Sequence, residues 1–227
     1  MIKPLAWDSH FFKKKVGEVW LEPNDPSSLD TMGYDLLYVK SEHPMTFQME
    51  GFQESFRETK WVFSKEIPER RLTKNPHIKS IFSTVFSKKD LYPLAFESGH
   101  YSRFRLDPKF SEKDFKKLYM QWIDNSFEKL IAEDIFVYEA SQKLLGFVSF
   151  QLKKSKGVIG LIAVAEEARG MGVGAALMEA VEDYLVKHHI NQLDIPTQAH
   201  NQTACNFYRK MGYHVKESTE IYHFWKV

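Results

Sequence analysis

The sequence predicts an α/β protein built on a mixed sheet. Three observations carry that expectation. Strands and helices alternate from Ile78 onward, two adjacent segments read as an antiparallel hairpin, and an apolar strand runs through a glycine-rich turn into a long amphipathic helix. At 227 residues the chain can bury one large core or two modest ones. Hydrophobic residues at 43% and charged residues at 27% are the balance of an ordinary globular protein.

In the first third, Val16–Leu21 and Asp35–Val39 read as strands, and Arg57–Phe63 alternates as a third. Residues 26–32 suit a short helix. Residues 67–76 hold two prolines with Arg70, Arg71 and Lys74, which reads as a linker. The expected division is a small N-terminal α/β domain over 1–70 and a larger domain over 75–227.

Beyond the linker, Ile78–Phe82 reads as a strand, and Asp90 as the cap of a helix with Pro93 in its first turn. Ser111 and Asp114 form a loose capping box before a helix whose Phe115, Leu118, Tyr119, Trp122 and Ile123 share one apolar face. Ile135–Glu139 and Leu145–Leu152 make the hairpin, and Val158–Val164 is the next strand. Val173, Ala176, Leu177, Ala180, Val181, Tyr184 and Leu185 mark the second amphipathic helix. Gln192–Ile195 is a short strand, and a helix over Gln202–Met211 stops at Gly212. Tyr213–Lys216 and Ile221–Trp225 complete the chain as two strands.

Several function classes fall away. A net charge of +1 gives no general attraction to nucleic acid or an anionic membrane. The short basic runs Lys13–Lys15 and Lys153–Lys156 suit solvated strand ends. A single cysteine, Cys205, excludes an intramolecular disulfide and a cysteine metal cluster, and no metal is expected. The start of the chain has no apolar signal region and no run is long enough to span a bilayer, so the expected location is the cytoplasm.

The informative segment is Val158–Ala175, where Arg169-Gly170-Met171-Gly172-Val173-Gly174 lies between strand and helix. Glycines there let the backbone turn sharply and approach a ligand. Their N–H groups, with the free donors of the helix start, suit an anion such as pyrophosphate, and Arg169 can add a charged contact. Three readings compete. One is a plain packing connection. Another is a dinucleotide fingerprint, since Gly170-x-Gly172-x-x-Ala175 fits and Asp194 follows about 20 residues on; the strand ends early for it, and too little chain follows. The absence of Gly-Lys-Ser/Thr excludes a Walker loop.

The third reading rests on a resemblance. Arg169, Gly172 and Gly174 resemble the pyrophosphate loop of GNAT acyltransferases, and Asn201, Ala204, Tyr208, Gly212 and Tyr213 match the family's spacing downstream. The resemblance implies a GNAT fold, a mixed, mostly antiparallel sheet flanked by helices, with acetyl-CoA as cosubstrate. It assigns to that cosubstrate Ile162, Ala163, Val164, Arg169, Gly170, Met171, Gly172, Val173, Gly174, Ala175, Asn201, Ala204, Phe207 and Tyr208. At Phe207 the family can carry a basic residue against a CoA phosphate, a contact that a phenyl ring does not make. Tyr208 is implied as the general acid, and a phenol protonated at pH 7 can supply the proton that a departing thiolate needs. A backbone N–H near Ile162–Val164 can polarise the thioester oxygen. Simpler readings stand beside these: a buried aromatic for Tyr208 and a helix cap for Asn201. His200, Glu139 or water are candidates for a base, and none has a motif.

Ser102–Leu106, Tyr119–Ser126, Gly146–Ser149 and Leu5–Phe12 are also similar to the dTDP-fucosamine acetyltransferase family. That likeness implies a small-molecule acceptor, the amine of a nucleotide-linked 4-amino-4,6-dideoxy sugar, and is compatible with a homodimer. If extended, residues 102–106 put Arg103 and Arg105 on one side, where both can meet a diphosphate; the bland reading is two surface arginines. Other amines, a polyamine, an antibiotic or a protein, and a non-catalytic acyl-CoA sensor are the alternatives.

Overall fold

The computed structural model describes residues 1–22, 29–69 and 74–227. Its order is β1 (Lys3–Pro4), α1 (Ala6–Phe12), β2 (Val16–Trp20), β3 (Leu36–Ser41), β4 (Phe52–Glu66), β5 (Ile78–Ser80), α2 (Lys88–Ser98), α3 (Arg103–Leu106) and α4 (Glu112–Phe127). The order continues with β6 (Asp134–Ala140), β7 (Lys143–Lys153), β8 (Lys156–Val164), α5 (Val173–Lys187), β9 (Gln192–Gln198), α6 (Gln202–Lys210) and β10 (His214–Lys226). All ten strands join one sheet in the order β1-β2-β3-β10-β4-β9-β8-β7-β6-β5. β2–β3 and β8–β9 are parallel and the other pairs antiparallel, so the sheet is mixed as expected.

The expected small N-terminal domain is corrected by this pairing. β10, from the end of the chain, lies between β3 and β4, and β4 in turn pairs with β9. β1 to β4 are therefore woven into the same sheet as β5 to β10. The two strands expected at the end of the chain are one, because β10 is held on both sides and absorbs its irregularities as bulges at Val215/Glu217 and His223/Phe224. Residues 26–28 of the expected short helix and 70–73 of the expected linker lie outside the described residues; Leu29–Met32 is not helical.

Helix signals hold with local shifts. Ser111 and Asp114 do form the capping box of α4. α2 begins earlier than expected: Ser87 is its cap, Asp90 closes the box, and Pro93 lies inside the helix. α1 had no periodic signal, being only seven residues long. In the hairpin between β6 and β7, Ser141 and Gln142 both take positive φ, the geometry of a turn that matches strand twist.

Helices cover the two faces of the sheet. α3, α4 and the loop between them pack Phe104, Phe110, Phe115, Leu118 and Ile123 against Tyr38, Ile135, Val137 and Phe147, with α1 and α2 on the same face. α5 and α6 pack Leu177, Val181, Leu185, Cys205 and Tyr208 against Phe63, Phe150, Leu193 and Ile195. Trp122, expected in the core of α4, is only half-buried, with its edge on a cleft. Gly146 on β7 lets α5 sit close to the sheet. A Cβ there would lie 2.9 Å from the Ala163 carbonyl oxygen and 3.0 Å from Val173 Cγ1. Gly146→Ala is expected to lower stability by about 1–3 kcal/mol, read by urea unfolding; an unchanged midpoint would mean that α5 can move outward freely.

Candidate active site

The site begins where two strands part. β8 and β9 pair only through Gly157 with Leu193 and Val158 with Asp194, although both strands run on. Two features end the ladder. A register shift opposite Val148–Phe150 puts a bulge in β8 near Gly160, and bulges bend the strand that carries them. On β9, Pro196 has no N–H to offer. Beyond this point Ile162, Ala163 and Val164 pair with β7 on one side only. N–H groups of that stretch that point away from β7 meet no strand, as a polarising donor requires.

The loop follows directly. Glu166–Ala168 form a single 3₁₀ turn, then Gly170 and Gly172 take φ of +77° and +80°. A Cβ at either would meet nothing within 4 Å, so these glycines serve backbone conformation and leave open space over the loop. Gly172 caps α5, and the first intrahelical bond runs from Ala176 N–H to the Gly172 carbonyl at 3.0 Å. The N–H groups of Val173, Gly174 and Ala175 have no intrahelical acceptor and carry the positive end of the helix dipole. That cradle fits a pyrophosphate such as that of coenzyme A. Val173 offers only its backbone, since its side chain is buried, whereas Met171 is exposed.

α6 leans on this turn. A Cβ on Gly174 would lie 3.3 Å from Phe207 Cζ and 3.6 Å from Val164 Cγ2, so Gly174 also serves close packing. Asn201 caps α6, its Oδ1 accepting the Ala204 N–H at 3.1 Å. Tyr208 is 4% exposed, its ring 5.6 Å from that of Phe63 and 5.4 Å from that of Phe207. Burial holds its phenol above the ordinary range, so it stays protonated. The loop, the end of β8 and α6, which carries Tyr208, thus pack against one another.

Other candidates separate. Residues 103–106 form a helical turn capped by Ser102 rather than an extended segment, because the Ser102 hydroxyl accepts the Phe104 N–H. The two arginines therefore diverge: Arg103 lies over the Tyr38 ring at 4.4 Å, while exposed Arg105 lies over Phe115. His200 bonds the Tyr101 carbonyl at 3.2 Å, and Glu139 is paired with Lys79 on β5 at 2.9 Å. A cleft of about 420 Å³ opens on the α1–α4 face, bordered by Lys60, Trp122, Lys153, Lys156, Asp194 and Glu217. Lys60 was not singled out by the sequence, since its side of β4 is known only once β10 is in place.

Arg169 holds Glu97 of α2 at 3.3 Å, with both side chains about half exposed. An anion in the loop must draw it away. Glu97→Ala is expected to tighten coenzyme A binding about two- to fivefold at low salt, the worth of an exposed ion pair. Calorimetry reads this, and the gain should shrink at high salt; no gain would mean that Arg169 does not reach the ligand.

Comparison with known proteins agrees with this geometry. The Acetyltransferase (GNAT) family matches residues 99–213. Streptothricin acetyltransferase A of Bacillus subtilis is 29% identical over 51% of this chain and 66% of its own length. Spore coat polysaccharide biosynthesis protein SpsD of the same organism is 24% identical over 58% of this chain and 45% of its own. In fold, a GCN5-related N-acetyltransferase from Sphaerobacter thermophilus superposes with a TM-score of 0.53 at 18% identity, covering 83% of this chain and 60% of that one. The family match spans half of the chain and contains β7, β8, β9, α5 and α6. The chain belongs to the acetyltransferase (GNAT) family and is an acetyl-CoA-dependent N-acetyltransferase.

Proposed function

We propose that the enzyme acetylates the amino group of a nucleotide-linked amino-deoxy sugar of the dTDP-4-amino-4,6-dideoxyhexose type, with Tyr208 as general acid. The observation that carries the acceptor class is the charge of the cleft. Asp194, the buried acid there, is held by Lys156 and approached by Lys216, which leaves Lys60 and Lys153 against Glu217. Such a wall suits an anionic nucleotide and opposes a polyamine. The name of the spore-coat relative points to polysaccharide biosynthesis. A second reading, an antibiotic amine, is favoured by the name of the streptothricin acetyltransferase.

In this reading acetyl-CoA supplies the acetyl thioester. Arg169 and the N–H groups of Gly170–Ala175 bind the pyrophosphate, while Asn201, Ala204 and Phe207 border the arm. The N–H groups at Ile162–Val164 polarise the thioester oxygen. A neutral amine forms the N–C bond, the C–S bond breaks, and Tyr208 gives its proton to the departing thiolate. The proton lost by the nitrogen restores the phenol, by way of water.

Thiol release with dTDP-4-amino-4,6-dideoxygalactose, its gluco epimer, a polyamine, a lysine peptide and streptothricin tests the acceptor. Turnover confined to a sugar nucleotide supports the proposal, and turnover only with another amine overturns it. Tyr208→Phe is expected to leave acetyl-CoA affinity within about twofold and to lower kcat on the order of 10²-fold. Because burial holds the phenol up, wild-type kcat should show no alkaline fall from Tyr208 below about pH 10. An unchanged kcat in the variant across pH would remove Tyr208 from the chemistry.

A further inference from the structure

Four buried polar atoms have no hydrogen-bond partner among the described residues: Tyr38 Oη, Glu58 Oε2, Arg103 Nη1 and His223 Nε2. They are gathered, not scattered. Strand register sets Tyr38 opposite His223, and the next row along the same face sets Glu58 opposite Ile221. The Tyr38 and His223 rings are 4.8 Å apart, and the Arg103 guanidinium lies over Tyr38. Tyr38, Glu58 and His223 are 1%, 6% and 0% exposed, and an unpaired polar atom so buried costs stability. Four in one place point to a ligand that pairs them.

Their hydrogen-bonding sense defines that ligand. His223 Nδ1 donates to Asp107 Oδ2 at 2.6 Å, and burial pushes the imidazole down to about 4, so the neutral ring presents Nε2 as an acceptor. Burial raises the Glu58 carboxyl to about 7, against the pull of Arg103 and Lys60, so it accepts when ionised and donates when protonated. Arg103 only donates, and the Tyr38 hydroxyl does both. A phosphate would meet the lone pair of His223 and the carboxylates of Glu58 and Asp107. A polyamine would meet Arg103 and Lys60. Hydroxyl groups, donors and acceptors at once, match all four. Lys60, two residues from Glu58 on the same face of β4, borders the cleft, which sets this buried cluster beside it.

We propose that Tyr38, Glu58, Arg103 and His223 form a subsite for the hydroxyl-bearing ring of the acceptor. The proposal rests on the amino-sugar reading above and adds where the sugar is held: by β3, β4 and β10, against α3. Arg103 then serves the ring rather than a diphosphate, and Arg105 has no part in it.

The test compares two acceptors, dTDP-4-amino-4,6-dideoxygalactose and its analogue lacking the ring 2- and 3-hydroxyls, on wild type and Tyr38→Phe. The variant removes one oxygen and keeps the ring. Its acceptor KM should rise about tenfold with the hydroxylated sugar, with kcat, acetyl-CoA KM and Tm nearly unchanged. With the deoxy analogue the same substitution should change KM less than about twofold, because the lost partner is already missing. Glu58→Gln gives a second variant with the same expectation should Tyr38→Phe fold poorly. An unchanged KM with the hydroxylated acceptor, or an equal rise with both, would overturn the subsite while wild-type turnover leaves the amino-sugar reading standing. If wild type turns over only a polyamine or peptide, the amino-sugar reading fails and takes the subsite with it.

Discussion

The early end of the β8–β9 ladder is the constraint on which the rest of the site depends. Two parallel strands that stayed paired would bond each other's N–H and carbonyl groups and leave nothing for a substrate. The bulge opposite Val148–Phe150 and the missing N–H of Pro196 end the ladder after Val158 and Asp194. The parted ends then need separate support. β8 takes it from β7, and β9 takes it from β4, whose pairing runs from Lys60 to Glu66. The gap is held open from both sides rather than closing by repacking.

Helix placement follows from the same opening. α5 connects β8 to β9, so its N-terminus sits beside the end of β8 at the gap. Gly146 and Gly174 set how near α5 comes to β7 and to α6. α6 starts just after the far end of β9, and its buried face carries Tyr208 against Phe63 of β4. The donors for an anion, the edge of β8 and the phenol are thus fixed to rigid elements, while the side chains of Arg169 and Met171 are exposed. Holding reacting groups on strands and helices preserves their geometry better than placing them on loops.

What was legible in the sequence is what depends on local pattern. Arg169, Gly172, Gly174 and Asn201 act through turns and helix ends, and short spacing fixes those. The amphipathic faces of α4 and α5 were legible for the same reason. The role of residues 1–70 was not, because it depends on long-range pairing. Nothing near Arg57–Phe63 says that β10 will lie beside it, so neither the burial of Glu58 nor the face of Lys60 can be read locally. Residues 102–106 differ in another way: Arg103 and Arg105 share a side only in an extended segment, but Ser102 caps a turn of helix, and one hydrogen bond separates the two arginines.

The insertion of β10 between β3 and β4 links these points. It carries His223 and Trp225 to Asp107, whose carboxylate accepts from both, and Ser55 of β4 donates to the same group. Burial opposes the charge on Asp107, yet these bonds hold its carboxyl below the usual range. The loop after α3 is thereby tied to β10 and β4, which fixes where α3 sets Arg103. A buried polar centre of this kind adds less stability than an apolar one of equal volume. It does fix one arrangement of donors and acceptors, and a pocket for a hydroxylated ring needs such an arrangement. β1 to β4 therefore complete the same sheet that carries the parted β8 and β9, and β3 and β4 share the buried polar face with β10 and α3.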